Sequence, residues 1–223
     1  VQPHAPDLEM EELCQLATEL NALIRFATGV GASPRFTTRL RLVSYCHIME
    51  ADLPYAVLYN LLRIIGGLAV CWTFFQRNAN DEVCKRPNGQ KIVCEYPGQK
   101  IDQLAELSER ARMSIGDILR RMWRKDVRDA FSHHQYYLHD NGDFAGTRDI
   151  SPISHQGAPG AGKNVSVTNE EIAALHQAAE AYLSSFIRAY SSTIQPFQDG
   201  RPWRIGSVQV QWDKNLGSWQ LAP

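Results

Sequence analysis

Apolar residues recur at helical spacing from the start of the chain. Leu8, Leu13, Leu16, Leu20, Leu23 and Ile24 form one amphipathic stripe beginning at about Asp7. Gly29 and Gly31 end it and Pro34 follows, the residue types that stop a helix. A second helical pattern runs from about Phe36 to Glu50, and Pro54 suits the first turn of a third helix predicted to end near Gln76. A helix with one apolar stripe must bury it against another element. Helices following one another this closely make the chain mainly α.

Residues 78–100 change character. Val83-Cys84, Asn88-Gly89 and Lys91-Ile92-Val93-Cys94 read as a hairpin with a tight Asn-Gly turn, closed by Pro97-Gly98. A helix is expected from about Ile101 to Arg112. Ser114 with Asp117 then marks the start of another, running as one helix toward His134 or Tyr137. Tyr136–Leu138 and Asp140–Phe144 read as a second hairpin, and residues 149–167 as loop. Thr168 with Glu171 is a capping box opening a helix from Ile172 to about Ser192. Pro196, Asp199-Gly200 and Pro202 break the chain, and the alternation Ile205, Val208, Val210, Trp212, Trp219, Leu221 predicts a short terminal β hairpin. The expected organisation is a helical domain over residues 1–195. It carries a hairpin insertion at about 80–98 and a hairpin and loop at about 136–167. Residues 196–223 follow as a β extension packed on the same domain.

With 44% hydrophobic residues and a net charge of -1, bulk disorder is excluded. The same neutrality gives no global argument for nucleic acid, so local patterning must decide. Cys14, Cys46, Cys71, Cys84 and Cys94 are an odd number without a C-x-x-C pair, which argues against a zinc ribbon. The first three sit in apolar helical patterns as small hydrophobes. Cys84 and Cys94 flank a turn and could pair, but reduced thiols in a cytoplasmic protein are the preferred reading. No basic segment followed by an apolar run opens the chain, so no signal peptide is expected. The most apolar stretch, Ile64–Phe75, falls short of the ~20 residues a membrane span needs and reads as a buried core helix. No membrane partner is expected.

Gly157-Ala158-Pro159-Gly160-Ala161-Gly162-Lys163-Asn164 matches the phosphate-binding G-x-x-x-x-G-K and then fails. Asn164 stands where a Ser or Thr hydroxyl would ligate magnesium. No buried strand precedes the segment, and the next helix begins too late to face a phosphate. It reads as a Gly/Pro linker.

Arg128-Asp129-Ala130-Phe131-Ser132-His133 carries more. Projected as one helix at ~100° per residue, Ser114–His134 has an apolar stripe at Ile115, Leu119 and Met122. Asp126, Asp129 and His133 continue it. Buried polar groups need partners, so this end of the helix meets a polar network, a second subunit or a ligand. Arg121, Arg124, Lys125 and Arg128 form an adjoining basic flank. Cations, a carboxylate and a histidine suit a phosphodiester: Arg holds phosphate bidentately and His moves protons near neutrality. The bland alternatives are a surface pair between Arg124 and Asp126, and His133 as a helix C-terminal cation.

This segment resembles the R-x(4–6)-H motif of the HEPN superfamily, in which a polar residue follows the Arg. The Tyr136–Phe144 segment and the Thr168–Ser192 helix are similar to what many members place next. The resemblance implies a HEPN-like helical bundle, here with small β-hairpin insertions and the short C-terminal β hairpin. It also implies a homodimer that joins two motifs, and metal-independent endoribonuclease activity without cofactor, common in toxins and antiviral-defence effectors. Carried onto this chain, Arg128 would neutralise the scissile phosphate and Asp129 would orient Arg128 or His133. His133 would transfer the proton during 2′-hydroxyl attack. His134 also fits the spacing, and His134-Gln135-Tyr136 resembles an H-x-Y variant, so either histidine is a candidate. Arg121, Arg124, Lys125 and Tyr136 are the candidate RNA-binding residues. An antitoxin or regulatory protein is the further partner expected, and a non-catalytic HEPN-like module that binds RNA, nucleotide or protein is the alternative.

Overall fold

A computed structural model describes residues 5–68, 96–147, 164–198, 203–205, 208–213 and 218–221. The protein is mainly helical, with two small antiparallel sheets. Its internal contacts divide it into one unit over Val1–Glu180 and a second over Ala181–Pro223.

In the first unit, α1 (Ala5–Gly29) packs on α2 (Pro34–Glu50) and α3 (Asp52–Ile65). The buried row of α1 is Met10, Leu13, Ala17, Leu20, Ile24 and Ala27. Leu16 is only half-buried and Leu23 is 51% exposed, so the expected stripe was partly out of phase. The true row uses alanines at 17 and 27, small residues that a reading of large side chains passes over. The Ser33 hydroxyl caps α2 by accepting the Phe36 N–H at 3.3 Å.

α3 does not reach Gln76. It stops at Ile65, where Gly67 takes φ +74° and its N–H and that of Leu68 return to the carbonyls of Ile64 and Arg63, at 3.0 and 2.8 Å. Such a Schellman turn needs a left-handed residue, which glycine supplies without strain. Ile64 and Ile65 are more than half exposed, so the first residues of the expected buried helix over Ile64–Phe75 are not buried. Residues 69–95, with the expected 83–96 hairpin and Cys71, Cys84 and Cys94, lie outside the described residues.

α4 (Pro97–Arg110) begins earlier than expected, because Pro97 serves as its first residue rather than closing a turn. It is tied to α3 by an ion pair between the buried Lys100 and Asp52. The expected single helix over Ser114–His134 is two: α5 (Ile115–Met122) and α6 (Lys125–Ser132), with Trp123 and Arg124 extended between them. The cause lies in α2. The buried Tyr45 hydroxyl donates to the Met122 carbonyl and accepts the Arg124 N–H, both at 2.8 Å, diverting groups that would have continued the helix. Burial pushes the Tyr45 phenol well above its ordinary pKa, keeping the proton it donates.

The expected second hairpin is a three-stranded sheet. β1 (Tyr136–Leu138) pairs with β2 (Phe144–Thr147), and β2 with β3 (Asn164–Val167), a strand where loop is expected. The sheet, α2, α6 and the start of α7 (Asn169–Gln198) bury Leu42, Val127, Phe144, Val165, Val167 and Ile172 in one core cluster. A Cβ built on Gly146 would lie 2.8 Å from that of Ala130, so glycine lets α6 lie against β2. The capping box of α7 forms as expected: Glu171 accepts the Thr168 N–H at 2.8 Å and the Thr168 hydroxyl accepts the Glu171 N–H at 3.1 Å. Gly157–Lys163 lies outside the described residues.

α7 runs through Pro196 to Gln198, past its expected end at Ser192. In the second unit, the expected terminal hairpin is a three-stranded meander of β4 (Trp203–Ile205), β5 (Val208–Asp213) and β6 (Ser218–Leu221). Among the described residues, no helix is long and apolar enough to cross a membrane.

Candidate functional site

Two faces of α6 decide what this region can do. Val127 and Ala130 are fully buried in the core cluster. The other face carries Lys125, Asp129 and His133, three residues spaced one helical turn apart, with Arg128 beside them. All four line a cleft of about 620 Å³. Its opposite walls are the first turn of α4, with Tyr96, Pro97 and Gly98, and the end of α5, with Arg120 and Trp123. The break between α5 and α6 places Trp123 on this cleft.

Asp129 is 6% exposed and paired twice, with Lys125 one turn before it and with Arg128 Nη1 at 3.1 Å. Its burial is matched by those partners, as a buried carboxylate requires. Arg128 reaches out of α6 to the end of α2, where its Nε donates to Glu50 Oε1 at 2.5 Å. Burial opposes the Arg128 charge. The Glu50 carboxylate, and then Asp129, more than offset that and hold the guanidinium pKa above its ordinary value. Arg128 is thus a fixed cation, held on two sides by carboxylates from different helices.

His133 is the exposed C-cap of α6. His134 follows at φ +58°, its N–H on the Phe131 carbonyl at 3.1 Å, and the Gln135 N–H reaches the Ala130 carbonyl at 2.9 Å. His134 therefore occupies the left-handed position of a Schellman turn and is exposed, but does not line the cleft.

Of the other candidate residues, Lys125 joins the cleft and Arg121, Arg124 and Tyr136 do not. Arg121 is exposed on α5. The Arg124 fork is taken by Asp126 in a bidentate pair at 2.9 and 2.8 Å, whose hydrogen bonds hold the Asp126 carboxyl below its ordinary range. Asp126 consequently leaves the polar row that the continuous helix assigned to it. The Tyr136 ring stacks on Phe144 at 5.4 Å and meets Phe131 at 5.1 Å, against the core cluster.

The sequence reading missed Glu50, Trp123, Tyr96 and Arg120. Glu50 carries no local signal, since its partner is 78 positions away. Trp123 did carry one, as an aromatic set within the run Arg120-Arg121-Met122-Trp123-Arg124-Lys125. Cys14 and Cys46 are free thiols. Burial and then the Glu50 charge push the Cys46 thiol up to about 12, so it is inert. Among the described residues, no cluster of three or more His, Cys, Asp or Glu is arranged to hold a metal ion.

The chain matches no protein-family model, no curated protein and no solved structure.

Proposed function

We propose that the protein is a HEPN-type, metal-independent endoribonuclease, acting in the cytoplasm as a toxin or antiviral-defence effector and working as a homodimer. One observation carries the reading: Arg128, Asp129 and His133, the residues of the motif, line a single cleft. Asp129 is spent on orienting its neighbours rather than on solvent. In the proposed reaction the RNA 2′-oxygen bonds to phosphorus and the bond from phosphorus to the 5′-oxygen breaks. The 2′-hydroxyl loses its proton and the departing oxygen gains one, leaving a 2′,3′-cyclic phosphate and a 5′-hydroxyl. His133 handles the proton, and Arg128 neutralises the phosphate with the part of its fork that Glu50 and Asp129 leave open. An antitoxin or regulatory protein would keep such an activity in check.

A second reading, a non-catalytic RNA-, nucleotide- or protein-binding module, draws on the same pairs: Nε and Nη1 of Arg128 are already engaged by carboxylates. Cleavage of RNA by the purified protein in EDTA, with analysis of product ends, decides between them. Arg128→Ala and His133→Ala should each lower the rate by ~10²-fold or more, the scale of general acid–base catalysis. Arg128→Lys should rescue poorly, lacking the planar fork. The matching DNA, without a 2′-hydroxyl, should stay intact. Cleavage that stops in EDTA, or that survives both alanine variants, overturns the catalytic reading.

A further inference from the structure

The cleft beside α6 has an aromatic half as well as a charged one. Tyr96, just before α4, is 57% exposed, and Trp123 lines the cleft from the α5–α6 break. The Trp123 indole lies with its nitrogen edge close against Gly98: a Cβ built there would fall 3.1 Å from Nε1, a tight contact.

The charged half is small. Arg120, Lys125 and Arg128 face the cleft, but so do Asp102 and Asp129. Arg120 lies 3.9 Å from Asp102, while Lys125 and Arg128 share Asp129. The lining holds three cations and two carboxylates, and Glu50 and Glu109 pair with Arg128 and Arg120 as well, so the cations carry no surplus of positive charge. The part of the Arg128 fork that Glu50 and Asp129 leave open can meet one phosphate, and nothing in the lining could hold a tract of them. Single-strand binding loses affinity with salt at a slope of about 0.7 per phosphate neutralised. One phosphate therefore gives only about a fivefold loss for a tenfold rise in salt. Recognition must then come from the aromatic half, and a base stacks on a tyrosine or indole only when it is not paired within a duplex. The cleft's volume falls within the range of ~300–1,000 Å³ in which proteins enclose small ligands.

We propose that this cleft takes a single unpaired nucleotide of RNA, its base against Trp123 and Tyr96 and its phosphate at Arg128. This rests on the reading of Arg128 and His133 given above. It adds to that reading an aromatic subsite for one base beside the scissile phosphate.

The test uses the full chain and RNA oligonucleotides with 2′-O-methyl riboses, which lack the attacking hydroxyl, and one 2-aminopurine as fluorescent base. The free strand should bind with quenching and the same strand in a duplex should not. A tenfold rise in salt should weaken binding about fivefold. Trp123→Leu should weaken binding roughly tenfold or more, and Trp123→Phe should retain most of it. Trp123 is half-buried, so Tyr96→Ala, at an exposed ring, repeats the test without burdening the fold. Equal binding of duplex, a salt loss above about a hundredfold, or wild-type affinity in both Trp123→Leu and Tyr96→Ala overturns the proposal. Cleavage of unmodified RNA, measured in parallel, separates the two readings. Wild-type protein that stacks the base but cleaves nothing upholds the nucleotide site and sinks the ribonuclease. A chain that cleaves, with both aromatic variants as tight as wild type, does the reverse.

Discussion

Four helices of the first unit end in the same turn with different residues. α1 and α3 close on Gly31 and Gly67, at φ +67° and +74°. α4 and α6, the two helices that frame the cleft, close on Arg112 and His134, at φ +56° and +58°. All four make the paired returns of a Schellman turn: Gly31 and Ala32, Gly67 and Leu68, Arg112 and Met113, His134 and Gln135 donate back to carbonyls three and five residues earlier. A left-handed residue other than glycine costs about 1–2 kcal/mol. Where glycine stands, the local sequence sets the end of the helix. Where Arg112 and His134 stand, surrounding contacts must hold it. After Arg112, the Ser108 hydroxyl donates to the Met113 carbonyl at 2.6 Å and accepts the Gly116 N–H at 3.2 Å, clamping the α4–α5 turn. After His134, Gln135 leads into β1 and its sheet.

Removing such an outside contact should have the largest effect. Tyr45→Phe deletes one hydroxyl and leaves the Met122 carbonyl and the Arg124 N–H without their partner. At ~1–3 kcal/mol for each unsatisfied group, urea unfolding should show a loss of about 2–4 kcal/mol. A loss below about 0.5 kcal/mol, with unchanged backbone amide protection at residues 122–125, would mean the break is written locally after all. The first unit carries a second long-range dependence. His176 on α7 is buried, and burial, then the Arg41 charge on α2, pull its pKa down to about 4. The unfolded chain, titrating near 6.5, binds that proton first. The stabilisation is therefore complete above about pH 6.5 and lost as pH falls toward 4, by up to about 3 kcal/mol. Glu180 lies 3.6 Å from the ring, and burial raises its own pKa, which offsets part of the slope near its titration. His176→Leu should flatten the stability profile between pH 6.5 and 4, whereas an unchanged slope would assign it to other groups.

This contrast also explains what could be read from the chain alone. Thr168 and Glu171 announce the start of α7 because both halves of the cap lie within four residues. The broken helix at Trp123 could not be read, because its cause sits on α2, 79 positions from Arg124. Gly66-Gly67 is a local stop signal that ends α3 at Ile65, and the apolar run beyond it, which predicts a helix to Gln76, does not override that signal. In the site, Arg128, Asp129 and His133 were visible as a spacing on α6. Glu50, which grips Arg128 from α2, and Tyr96, which lines the same cleft from just before α4, come from other parts of the chain and depend on the fold. Asp126 shows the same lesson in reverse: the row that included it existed only in an unbroken helix.

A glycine end should be costlier to lose than a non-glycine end is to gain. A Cβ on Gly67 would meet nothing within 4 Å, so Gly67→Ala tests backbone conformation alone. It should destabilise by about 1 kcal/mol, read as a shift of the urea midpoint at constant slope. A shift near zero would show that α3 can end elsewhere.

The smallest effect has the opposite sign and reaches the chemistry. His134 is exposed, lines no part of the cleft and pays for a left-handed backbone. His134→Gly removes that strain but frees the unfolded chain, which offsets part of the gain. The net should be a stabilisation of about 0.5–1 kcal/mol. If His133 transfers the proton, RNA cleavage by His134→Gly should stay within a few-fold of wild type while Tm rises. Two results would break this. A fall in stability would mean the His134 side chain makes contacts that outweigh its backbone strain. A stabilised His134→Gly protein that no longer cleaves would move the proton transfer to His134, and would make the strained turn at the end of α6 the reason that histidine is held where it is.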